Sequence, residues 1–67
     1  MHVIVRYDGT EYMLPAYGNL PYVEDAIAAA NAGENGGWAT FPALRDGQLI
    51  TLKVRAGECI ALEVVQE

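Results

Sequence analysis

The 67 residues predict an α+β domain, ordered β-β-α-β-β-β, with one helix packed on an antiparallel sheet or on a small, partly closed barrel. Runs rich in β-branched and aromatic residues stand at both ends of the chain, separated by Gly-containing turns. Between them lies the one stretch with helical apolar spacing, Val23, Ala26, Ile27 and Ala30. Pro and Gly clusters bound that stretch on both sides.

The first fourteen residues read as a hairpin. His2–Tyr7 forms one strand, Asp8-Gly9 supplies the positive φ that a tight turn needs, and Glu11–Leu14 returns. Val3, Val5 and Tyr7 share one face and Ile4 and Arg6 the other, so both faces carry apolar groups and alternation alone does not select the buried one. Pro15 to Asn19 is a connector. Asn19 is placed as the helix cap, Pro21 suits a first-turn position, and Glu24 and Asp25 put negative charge towards the positive end of the dipole. The helix runs to about Ala32, with Gly33 as its left-handed terminator.

Gly33-Glu34-Asn35-Gly36-Gly37 resembles a phosphate loop only in its glycine content. Cradling loops precede a helix; this one follows it, lacks Gly-Lys-Ser/Thr and carries Glu34, so it reads as a connector. The last thirty residues predict a three-stranded meander: Trp38–Leu44, Gln48–Arg55 and Glu58–Val65, turned at Asp46-Gly47 and Ala56-Gly57. The rows Ile50, Leu52, Val54 and Ile60, Leu62, Val64 are expected to face the core. Pro42 cannot donate to a ladder, which places its strand at an edge or at a bulge.

One domain, residues 1–67, is all that this length supports, and a chain so short nets roughly 3–5 kcal/mol from its core. Small domains usually add a disulfide, a metal or self-association. Cys59 is the sole cysteine and His2 the sole histidine, which rules out an intrachain disulfide and a tetrahedral zinc site. Apolar residues make up 52% of the chain against 19% charged, so self-association is the expected remedy. Nine carboxylates against Arg6, Arg45, Lys53 and Arg55 leave a net charge of −5, which repels a phosphate backbone and argues against nucleic acid. No run approaches a membrane span and no secretory leader is legible; a cytoplasmic location with reduced Cys59 is the expectation.

The N-terminal strand pair, the Val23-Glu24-Asp25-Ala26-Ile27-Ala28-Ala29-Ala30 helix, the Gly-Gly-Trp start of a strand, the Asp-Gly turn and the final Ile-Ala-Leu-Glu-Val strand together resemble short proteins of actinobacteria and their bacteriophages. The resemblance covers most of the chain. It implies an origin, that of a phage or actinobacterial accessory protein in the host cytoplasm, and carries no functional residues with it.

Catalysis needs a nucleophile, a base and an orienting group within reach of one another, and no such set is legible. Cys59, between Glu58 and Ile60 in a strand pattern, is expected to be buried and inert. No enzyme, cofactor or metal is therefore expected. The aromatics are numerous for the length, and Tyr and Trp dominate interface hot spots. Tyr17 and Tyr22, beside the Pro-Gly-Asn connector, are the expected exposed contacts. Trp38 and Phe41 join them as interface candidates on the expected edge strand, although both also suit the core. The reading is a non-enzymatic protein-interaction module, acting by self-association or on a host protein. The alternative is a structural or accessory component of a phage particle, and a small enzyme is the third reading.

Overall fold

The computed structural model describes residues 1–66. Five strands, β1 (His2–Tyr7), β2 (Thr10–Met13), β3 (Trp38–Arg45), β4 (Gln48–Arg55) and β5 (Ile60–Val65), form one antiparallel sheet with the helix α1 (Leu20–Asn31) between β2 and β3 in sequence. The α+β class and the element order are those expected. The turns behave as their composition requires: Asp8 and Gly9 have φ of 52° and 76°, and Asp46 and Gly47 have φ of 51° and 79°. Positive φ at both central residues is the two-residue hairpin whose twist matches that of its strands.

Strand order is β4-β3-β2-β1-β5. This corrects the predicted meander, because β5 does not pair with β4; it pairs antiparallel with β1, from His2 opposite Val65 to Tyr7 opposite Ile60. It also corrects the placement of β3, which lies between β4 and β2 and is not an edge. Pro42 is accommodated because the β2–β3 ladder consists of one registered pair, Met13 with Leu44, and stops short of it.

Consecutive strands β4 and β5 thus occupy opposite edges. In a flat sheet they would lie four strand spacings, about 19 Å, apart, and the register would set Arg55 and Ile60 about nine residues, or roughly 30 Å, apart along the strands as well. The amide of Glu58 donates to the carbonyl of Arg55 at 3.3 Å, a turn that holds these two residues within roughly 7 Å and leaves only two residues to reach Ile60. The sheet therefore rolls and coils until the end of β4 approaches the start of β5, although no ladder closes it.

Rolling creates an inside. Val3 and Val5 of β1, Leu14, Ala39, Phe41 and Ala43 of β3, and Leu52 and Val54 of β4 line it, all buried. Helix α1 covers the open side with Val23 and Ala30, supported by the half-buried Ala26 and Ile27, the stripe read from the sequence. Of the expected β5 row, Ile60 and Leu62 pack against this core, whereas Val64 is exposed. Gly33 terminates the helix in the left-handed region at φ 91°. Asn19, however, does not cap it. Tyr17–Asn19 is a 3-10 turn, Asn19 is already helical, and its Oδ1 accepts from the amide of Ala16 at 3.0 Å. The first turn of α1 holds no acidic residue, so Glu24 and Asp25 lie beyond it.

Phe41 is the largest fully buried side chain. Phe41→Ala is expected to cost about 3–5 kcal/mol, as large as the whole stability of a domain this size. The variant should show collapsed amide dispersion by NMR at 25 °C; a dispersed spectrum would show that Phe41 is not the centre of the core.

Candidate functional site

The same ladders that bury one face leave a pattern on the other. Ile4 pairs with Met13, Met13 with Leu44, and Leu44 with Leu49. Cross-strand partners project from the same face, and these four point away from the buried Val3, Val5, Ala43 and Leu52. One apolar row therefore crosses four strands on the solvent side, over roughly 14 Å. Ile4 and Leu44 are half-buried, Met13 is 40% exposed, and Leu49 is 65% exposed. Where β2 and β3 separate beyond their single pair, a surface hollow of about 310 Å³ opens. Ile4, Tyr12, Met13 and Leu44 line it, with Glu11, Asp46 and Gly47 at its rim.

Charges flank the row unequally. Towards the Asp8 and Asp46 turns, Arg6 forks between Glu11 at 2.9 Å and Glu63 at 2.6 Å. These are exposed pairs, screened by water, and contribute little to stability. They hold the guanidinium's pKa above its ordinary value, chiefly through the Glu63 hydrogen bond and then that to Glu11. Towards the other end, Lys53 and Arg55 stand over the Trp38 ring, 4.8 and 5.5 Å from its centroid. Arg6, Lys53 and Arg55 on this face balance Glu11, Glu63 and the rim residue Asp46. The net charge of −5 resides in the rest of the chain.

Of the residues singled out in the sequence, Tyr17 and Tyr22 are exposed, as expected. Tyr22 and Trp38 come together with Ala26, Asn35 and Thr40 around a second hollow. Trp38 is half-buried beneath its two cations and lies outside the core, whereas Phe41 is 1% exposed and offers a partner nothing in this state. Cys59 is exposed, contrary to expectation, because β5 begins one residue later and leaves it in the connection from β4. Ile4, Met13, Leu44 and Leu49 were missed. Apolar residues on both faces of the first strand were the available signal, but only the register shows that they align.

At the seam between the edges, the Tyr7 hydroxyl donates to Glu58 Oε1 at 3.0 Å and accepts from the Arg55 amide at 3.4 Å. Desolvation raises the phenol's pKa, partly opposed by the Arg55 amide and reinforced by Glu58. Tyr7 thus keeps its proton, which suits a structural tie more than an activated base. Among the described residues, no three His, Cys, Asp or Glu side chains gather as a metal would require, and no helix is long and apolar enough to cross a membrane. Comparison with protein-family models, with curated proteins and with solved structures finds no match.

Loss of these two hydrogen bonds in Tyr7→Phe should lower the urea midpoint near neutral pH. Because the folded pKa is raised, the tie is fully present below the unfolded value of about 10 and is lost as pH rises beyond it. Urea unfolding of both proteins should show the wild-type advantage steady up to about pH 9 and shrinking above about pH 10. An advantage that is constant or grows with pH would contradict the seam.

Proposed function

We propose that the chain is a small, non-enzymatic protein-interaction module whose docking surface is the solvent face of its sheet. The observation that carries this reading is the aligned row Ile4, Met13, Leu44 and Leu49, which spends four large apolar side chains where water reaches them. Scattered surface apolar residues are ordinary; a contiguous row beside a hollow marks a contact surface. A chain this short has few such residues to spare from its core, and four of them stand in register across four strands.

The favoured ligand is protein. The charge-balanced face lets another polypeptide approach without repulsion, whereas the acidic excess over the rest of the chain disfavours a phosphate backbone. Exposed Tyr22 and half-buried Trp38 extend the surface from the basic end towards the helix. They supply the amphipathic aromatic area on which interfaces draw.

Site-specific photo-crosslinking tests the reading. A benzophenone side chain at position 49 should give a discrete adduct in the producing cells, and Met13→Asp in the same chain should abolish it. The same group at Glu24, exposed on α1, should give none. Equal yields at the two positions would remove the solvent face as the docking surface.

A further inference from the structure

The arrangement of charge about the row identifies an occupant. Resting on the reading that this face docks a protein, we infer that the partner is a second copy of the chain, seated face to face by a two-fold axis that runs along the apolar row.

Three properties of the face meet that symmetry. A two-fold interface is isologous, so the patch must be complementary to itself. An axis along the row superposes the strands of one copy on those of the other and reverses their direction. Leu44, Leu49 and Met13 then meet their own counterparts at the centre, an aligned packing of two sheets. The same reversal lays the basic end of each copy over the acidic end of the other. Lys53 lies four residues, about 13 Å, to one side of Leu49, and Asp46 lies two residues, about 7 Å, to the other side of Leu44. After reversal the two stand on the same side, offset by roughly 6 Å along the strands, within reach of a flexible lysine stem. The pair forms twice, once in each direction.

Repulsion does not oppose the contact, because the cations and carboxylates on the face cancel and the remaining acid lies elsewhere. An axis parallel to the strands would superpose like ends, Lys53 near Lys53 and Asp46 near Asp46, and is disfavoured for that reason. The rolled sheet is convex, so contact is confined to the part of the face carried by β4, β3 and β2. The footprint belongs with the small, reversible interfaces that bury less than about 1,200 Å² in total.

Sedimentation equilibrium over a wide concentration range tests the inference. The wild type should be a monomer–dimer mixture whose dissociation constant rises with salt, because salt screens the charge pairs. Leu49→Asp should be monomeric with an unchanged circular dichroism spectrum; if it unfolds, Leu49→Ser takes its place. Lys53→Gln and Asp46→Asn, the latter keeping a residue that tolerates positive φ, should each raise the dissociation constant about fivefold, from two weak ion pairs. The double variant should be no weaker than either single one, the mark of a direct pair.

A wild type that stays monomeric at every concentration, a dimer that survives the Leu49 variants, or additive effects of the two charge variants would each overturn the two-fold dimer. Failure here and failure of the docking surface are separable. A monomeric wild type that still crosslinks to a different protein through position 49 refutes the second copy and keeps the surface.

Discussion

Everything in this fold follows from the shortness of the connection between β4 and β5. Four residues, 56 to 59, carry the chain between strands that stand at opposite edges of a five-stranded sheet. A flat sheet is too wide for them, and the Arg55–Glu58 turn shortens their reach further. The sheet has to roll, and one face becomes an inside that a single helix can seal. The Tyr7 hydroxyl of β1, held between Glu58 and the Arg55 amide, ties the end of β4 and the connection after it to the strand that pairs with β5. A domain that nets only a few kcal/mol from its core gains from such a tie, since it limits fraying where the β4 edge ends.

Rolling also separates the molecule into two kinds of apolar surface. The inner one is built mostly of small side chains: among its buried residues Phe41 supplies the ring, Leu14 and Leu52 are the larger aliphatics, and the rest are valines and alanines. Small residues are what a tightly curved interior admits. Larger aliphatics at Ile4, Met13, Leu44 and Leu49 are thereby left on the convex side, where the register gathers them into one row. Electrostatics follow the same division. Three of the four cations lie on that face and cancel the carboxylates there, so the excess acid is displaced to the turns and the helix. A surface that is apolar at its middle, neutral in sum and opposite in charge at its ends is suited to meeting its own image.

Much of the fold was legible because it is local. Asp8-Gly9 and Asp46-Gly47 force positive φ and so announce their hairpins, and Val23, Ala26, Ile27 and Ala30 could form only one stripe of one helix. The partner of β5 was not legible. Ala56-Gly57 has the composition of a hairpin turn, and nothing within the window reveals that β1, more than fifty residues away, competes successfully for the strand. Three smaller misplacements share this origin. Pro42 looked like an edge marker because the early end of the β2–β3 ladder is a tertiary feature. Asn19 looked like a cap because a preceding 3-10 turn redirects its side chain. Cys59 looked buried because the start of β5 depends on its distant partner. The candidate surface was hidden for the same reason: its four residues come from four strands, and pairwise register, not periodicity, brings them together.

Solvent relaxation of methyl groups by a dissolved nitroxide probes this division most directly. In dilute protein, the methyls of Met13 and Leu49 should be strongly relaxed and those of Ile4 and Leu44 measurably so, while Val3, Val5, Leu52 and Val54 stay protected. Protection of the four row residues to the level of Val3 and Val5, or relaxation of those valines, would mean that the sheet rolls the other way or sits one residue out of register, and the surface described here would not exist.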